Sequence, residues 1–150
     1  MMIRKAKIED IKQIQELINS FAKKELMLPR SLNDLYENIR DFWVAQDDGK
    51  IIGCCALHIC WDDLAEIKAL AVAKNKQKKG IGKELVSSCM QEAKGLGAKK
   101  LFVLTYRPDY FKKFGFKKIK NADLPHKIWA ECINCCKFPH CQEIAMSRQL

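Results

Sequence analysis

Apolar residues recur along the chain at two periods, one near 3.6 and one near 2, and these divide it into helices and strands. Ile8, Ile11, Ile14, Leu17, Ile18 and Phe21 fall at helical spacing and predict one apolar helix face, preceded by a short strand over Ile3 to Ala6. Pro29 interrupts the next segment, Ser31 caps a second helix, and Leu32, Leu35 and Ile39 form its buried stripe. Two β-rich stretches, Phe42 to Gln46 and Ile51 to Ile59, flank Asp47-Asp48-Gly49-Lys50. The Asp-Gly step predicts a tight hairpin between antiparallel neighbours. Leu64 to Val72 extends this meander after Trp61-Asp62-Asp63. Beyond a polar run from Lys74 to Lys79 the order becomes glycine turn, helix and strand. The turn is Gly80-Ile81-Gly82, the helix carries Leu85, Val86, Cys89, Met90 and Ala93 and ends near Gly95 or Gly97, and the strand is Leu101 to Thr105. Tyr110 to Phe114 reads as a short helix and Phe116 to Ile119 as a strand after Gly115. Leu124-Pro125 opens a short helical segment through Trp129, and Ile144 to Ser147 returns as a terminal strand. The fold class is α/β, a mixed and mostly antiparallel central sheet flanked by helices.

Composition narrows the setting. With 150 residues, 48% hydrophobic and 30% charged, residues 1–150 are expected to form a single domain, with a cysteine-rich segment at 120–150 inside it. Lysine and arginine total 27 against 18 acidic residues, a net charge of +9 that favours an anionic partner: nucleic acid, membrane or a phosphorylated cofactor. Three tyrosines, three tryptophans and no paired zinc finger offer little for specific nucleic-acid recognition. No apolar run approaches the roughly 20 residues of a membrane span, and the charged start Met1-Met2-Ile3-Arg4-Lys5 lacks an export core. A cytoplasmic protein with no membrane partner is expected. Its eight cysteines are then free thiols by default, with Cys54, Cys55, Cys60 and Cys89 in apolar patterns that suit a core.

The chemistry concentrates at Gln77-Lys78-Lys79-Gly80-Ile81-Gly82, between a strand and a helix. Unpaired amides at a helix start bind phosphate oxygens, glycines keep side chains out of the way, and Lys78, Lys79 and Lys83 add counter-charge. A nucleoside-triphosphate loop fails because Glu84 follows Gly82-Lys83, and a dinucleotide fingerprint fails because residue 85 is Leu. Ordinary turn glycines remain the alternative.

On these residues the chain resembles the GCN5-related N-acetyltransferase superfamily, whose cofactor motif Q/R-x-x-G-x-G/A is matched by residues 77 to 82. Leu70-Ala71-Val72 on the preceding strand and Phe111-Lys112-Lys113-Phe114-Gly115-Phe116, similar to the family's Y-x-x-x-G-F element, extend the match from Ile3 to about Ile119. The resemblance implies a GNAT-like sheet with a splayed parallel strand pair, Leu64–Val72 and Leu101–Thr105. It implies acetyl-CoA bound by its pyrophosphate at 77–82 and Lys83, its pantetheine against Leu70, Ala71 and Val72, and direct attack of an amine on the thioester. Phe111 replaces the tyrosine that many members use to protonate the leaving thiolate. Tyr110 points about 100° away on a helix, so Tyr106, Thr105 or water is left for that role.

A narrower resemblance is to the acetyltransferase domain of N-acetylglutamate synthase, an amino-acid N-acetyltransferase. It is carried by Leu28-Pro29-Arg30-Ser31, Leu35, Ile51 to Leu57, Glu66, Lys100 to Thr105, Phe111, Gly115-Phe116 and Leu124-Pro125-His126-Lys127. It implies L-glutamate as the small-molecule partner and N-acetyl-L-glutamate for arginine biosynthesis as the product. Glu66 becomes the catalytic base for the ammonium, and Arg30 a bidentate clamp for a carboxylate. Lys68, two residues from Glu66 on one strand face, binds substrate carboxylate or neutralises Glu66. Arg107 and Lys127 are further substrate-binding candidates. The amino-acid-kinase domain of larger relatives has no room in 150 residues, and a homodimer is compatible with the resemblance.

The tail holds Cys132, Cys135, Cys136, His140 and Cys141. Cys132-x-x-Cys135 has zinc spacing that His140 or Cys141 would complete, giving a structural zinc; reduced packing thiols and a reversible disulfide are the other two readings. Two functions compete with glutamate acetylation: transfer to another small amine or a protein amino group, and a non-catalytic CoA-binding regulatory protein.

Overall fold

The computed structural model describes residues 1–24, 27, 29–120, 123 and 143–150. Its centre is a seven-stranded sheet in the order β1-β2-β3-β4-β5-β7-β6. The strands are β1 (Met2–Lys5), β2 (Phe42–Asp47), β3 (Lys50–Ile59), β4 (Leu64–Val72), β5 (Lys100–Thr105), β6 (Lys117–Lys118) and β7 (Ile144–Gln149). Among the described residues four α-helices accompany them: α1 (Ile11–Ala22), α2 (Leu32–Glu37), α3 (Ile81–Gly95) and α4 (Pro108–Lys112). The expected α/β class, with one parallel pair in a mostly antiparallel sheet, is what the chain adopts.

Local chemistry accounts for the elements. Asp48 and Gly49 both take positive φ, 52° and 76°, as the two-residue turn joining β2 to β3 requires. The Ser31 hydroxyl accepts a hydrogen bond from the Asp34 N–H at 3.1 Å and caps α2 as expected. Ile8 departs from the expected helix face. It lies in a single 3-10 turn, Ile8–Asp10, and is 72% exposed, so the buried stripe of α1 begins at Ile11. Asp10 sets that start: it is buried and accepts Arg4 Nη1 at 2.8 Å, Arg4 Nη2 at 3.0 Å and the Lys7 N–H at 2.7 Å.

Side-chain alternation gives the sheet two apolar faces. Cys55, Leu57, Ala65 and Ile67 pack with Leu85, Val86 and Cys89 of α3 and with Phe111. Cys54, Ala56, Ala69 and Ala71 pack with Ile11, Ile14 and Ile18 of α1 and Leu35 of α2. Two polar ties fix the helices that frame the site. Glu92 on α3 accepts from Lys5 Nζ at 3.1 Å and Trp43 Nε1 at 3.0 Å, and Arg148 Nη1 donates to the Phe114 carbonyl at 2.6 Å, holding the end of α4 against β7. Among the described residues no helix is long and apolar enough to cross a membrane.

The terminal strand arrives where sequence spacing gave no hint, between β5 and β6 and antiparallel to both. The strand expected over Phe116 to Ile119 shortens to Lys117–Lys118. The helical segment expected from Leu124 through Trp129 lies outside the described residues.

Candidate functional site

The site is built where β4 and β5 part. They pair in parallel at Leu64 with Lys100, Ala65 with Leu101 and Glu66 with Phe102, and no further. On its other edge β4 stays paired with β3 as far as Val72. Beyond Glu66 the backbone groups of β4 that face β5 therefore have no ladder partner from that strand. They line a wedge-shaped gap that can hydrogen-bond an inserted amide. Glu66 sits at the apex of the wedge, only 7% exposed.

Sequence reasoning missed one feature of this edge. Cys54 pairs with Ala71 and Ala56 with Lys68, so Ala69 and Leu70 together oppose Cys55 in a β-bulge. Ala69 carries the strain, with φ 56°, and its carbonyl accepts the Cys54 thiol at 3.3 Å. An alanine in Lys68-Ala69-Leu70-Ala71 carries no bulge signal, since left-handed turns are announced by glycine or asparagine.

The mouth of the wedge is the turn ahead of α3. Lys78 and Gly80 both have positive φ, 65° and 81°, and α3 begins at Ile81, directing its first free N–H groups outward. The Gln77 amide donates to the Val72 carbonyl at 3.0 Å, pinning the turn to the end of β4. Gly80 is needed for its φ, because a β-carbon there would meet nothing within 4 Å. Gly82 is needed for space, since a β-carbon would fall 2.5 Å from the Tyr110 hydroxyl. A depression of about 470 Å³ bordered by Ile3, Gly80, Lys83, Glu84, Ser87 and Gln91 adjoins this helix start.

On the far side, Phe111 is buried at 5% exposure, with Tyr110 and Phe116 packed edge-on at 5.3 and 5.6 Å. Tyr110 instead reaches across to α3. Burial pushes its phenol up, Cys55 adds to this, and Arg107 opposes it, so the hydroxyl keeps its proton at neutral pH. The Thr105 hydroxyl accepts the Arg107 N–H at 2.8 Å, turning the chain from β5 into α4.

Glu66 and Lys68 share one face of β4, opposite the side that Ala65 and Ile67 bury under α3. Arg30 is tied to α1 through its main chain, its N–H donating to Asn19 Oδ1 at 3.2 Å and its carbonyl accepting Gln15 Nε2 at 3.1 Å. Its guanidinium meets Asp34 at 3.3 Å, a partly exposed pair that a ligand carboxylate can replace at little cost. Lys127, Cys132, Cys135, His140 and Cys141 lie outside the described residues. Among the described residues no group of three or more His, Cys, Asp or Glu is arranged to hold a metal. Cys54, Cys55 and Cys89 are buried core thiols as expected, and Cys60 is half-buried.

Known proteins share the fold that carries this geometry. Residues 8–116 match the model of the acetyltransferase (GNAT) family. An uncharacterized N-acetyltransferase of Chlorobaculum tepidum is 40% identical over 99% of this chain and 96% of its own length. The amino-acid acetyltransferase of Mycobacterium tuberculosis is 35% identical over 87% of this chain and 76% of its own. Among solved structures, a Mycobacterium tuberculosis protein in complex with CoA and NLQ superposes with a TM-score of 0.86 at 29% identity, covering 100% of this chain and 99% of that one. N-acetylglutamate synthase from Neisseria gonorrhoeae, complexed with coenzyme A and N-acetyl-glutamate, gives 0.88 at 28% identity, over 99% of this chain and 35% of that one.

Proposed function

The chain belongs to the acetyltransferase (GNAT) family, and from that premise we propose that it carries an acetyl group from acetyl-CoA to the α-amine of L-glutamate. The product, N-acetyl-L-glutamate, would serve arginine biosynthesis in the cytoplasm. The observation that carries the reading is a buried carboxylate, Glu66, at the apex of a wedge whose mouth is a lysine-flanked helix start. The similarity to an amino-acid acetyltransferase and to a synthase bound to N-acetyl-glutamate supports the choice of acceptor.

The residues present fit the cofactor. The turn at Gln77, Lys78, Lys79, Gly80, Ile81 and Gly82 offers main-chain N–H groups and lysine charge to a pyrophosphate, with Lys83 one step into α3. The β4 edge at Leu70, Ala71 and Val72 offers main-chain partners to pantetheine amides. Acetyl-CoA supplies the activated thioester. Glu66 takes the proton that the substrate ammonium must lose before its nitrogen can attack. Arg30, Lys68 and Arg107 are the cations available to the two carboxylates of glutamate. The displaced thiolate needs a proton, and Phe111 has none to give. Thr105 and Tyr106 stand at the end of β5 for that step, with water as the alternative.

An acceptor screen with acetyl-CoA tests the assignment, measuring released CoA and acetylated product together. Glutamate should be the best acceptor and yield both in equal amounts. Efficient transfer to another amine or to a protein amino group, with no glutamate turnover, contradicts the acceptor. CoA binding without transfer to any amine contradicts an enzymatic role.

A further inference from the structure

The face of the sheet that carries Glu66 presents a second titratable group directly beside it. His58 on β3 is the register partner of Glu66 on β4, so their side chains leave the sheet side by side, with β-carbons about 5 Å apart for such a pair. His58 Nδ1 lies 2.6 Å from Asp41 Oδ2, and the two side chains are 30% and 22% exposed. Asp41 ends the 3-10 turn Ile39–Asp41 that leads into β2. The contact thus spans two neighbouring strands and 17 residues of sequence. A carboxylate that accepts the Nδ1–H leaves Nε2 as the basic nitrogen of the neutral ring and stabilises the imidazolium when Nε2 gains a proton. Strand register and the Asp41 contact thus bring a buried carboxylate, an imidazole and a more exposed carboxylate onto neighbouring positions of one sheet face.

We propose that Asp41 and His58 form a positioning dyad that resets Glu66 as a base between turnovers. The inference rests on the reading of Glu66 as the group that deprotonates the amine. The substrate N–H bond breaks as a Glu66 O–H bond forms. That O–H then breaks as the proton passes to His58 Nε2, directly or through one water. The imidazolium, held by Asp41, returns the proton to bulk water and is neutral again. No oxidant or further reactant is needed. Among the described residues, charged groups on this face include Asp41 ahead of β2, and Glu66 with Lys68 on β4.

The test uses the purified full chain, with acetyl-CoA and the acceptor selected by the screen. His58→Gln should lower kcat by about a hundredfold with the KM for acetyl-CoA unchanged, and added imidazole should restore part of the rate of His58→Ala. Asp41→Asn removes the anion that holds the ring, so it should lower kcat in the same direction, again with the KM for acetyl-CoA unchanged. Wild-type kcat in either variant, or no rescue of His58→Ala by imidazole, with Glu66→Gln inactive, overturns the dyad while leaving Glu66 in place. Full activity of Glu66→Gln overturns the base assignment itself, so the two failures are told apart. Should His58→Gln not fold, as judged by its circular dichroism, the split between kcat and the KM for acetyl-CoA in Asp41→Asn decides alone.

Discussion

Gly80 and Gly82, two residues apart in one motif, are glycines for different physical reasons. Gly80→Ala should cost about 1 kcal/mol, the price of a β-carbon in the left-handed region, with no collision. Gly82→Ala should cost about 2 kcal/mol through overpacking against the Tyr110 hydroxyl, and Tyr110→Phe should recover part of that loss. Thermal melts of the two single variants and the double variant check the distinction; equal effects with no coupling to Tyr110 would refute it. The motif itself was legible in the sequence, but the reason for its second glycine was not, because Tyr110 reaches it from 28 positions away. His58 was similarly opaque. Its partner Asp41 and its neighbour Glu66 are assembled by strand register, whereas spacing along the chain shows only an isolated histidine on a strand. The core thiols give a further residue-scale expectation. Burial pushes the Cys54 thiol up to about 12, and a hydrogen bond with Cys89 together with burial raises Cys55 well above its ordinary value. A disulfide-exchange reagent at pH 8 should leave both unmodified in the native protein and label them on unfolding. Rapid native labelling of Cys55 would contradict the packing of α3 on β3, and that of Cys54 the packing of α1 on the other face.

At the scale of elements, most boundaries follow from periodicity, and the departures have local causes. The 3.6-residue pattern ran back to Ile8, but Asp10 ends a 3-10 turn and recruits Arg4, so the helix proper begins one residue later. Burial alone would raise the Asp10 carboxyl; the hydrogen bonds from Arg4 and the Lys7 N–H outweigh it and hold the group below the usual carboxylate range. A depressed folded-state value contributes stability that is present above the ordinary aspartate pKa and is lost as pH falls through the folded one. Asp10→Asn should therefore lose about 2 kcal/mol at pH 7, and its disadvantage should shrink as the pH falls below about 4. Urea denaturation at pH 7 and pH 3 measures both. The β4 bulge and the insertion of β7 beside β5 were not legible, because each is decided by long-range pairing that local composition does not encode. The hairpin at Asp48-Gly49, decided by two adjacent residues, was fully legible.

For the whole molecule, the excess of positive charge and the geometry of the wedge support the proposed entry of an anionic cofactor at the start of α3. Screening should weaken that attraction, so the KM for acetyl-CoA should rise with ionic strength while kcat changes little. The central claim is that the turn ahead of α3 and the open edge of β4 receive this cofactor. A titration of acetyl-CoA into isotopically labelled protein, followed at the backbone amides, tests it most directly. Saturable binding at one site should move the amides of residues 80 to 83 and 70 to 72 more than any others. Saturation that leaves those amides unmoved, or no binding at all, would contradict the account.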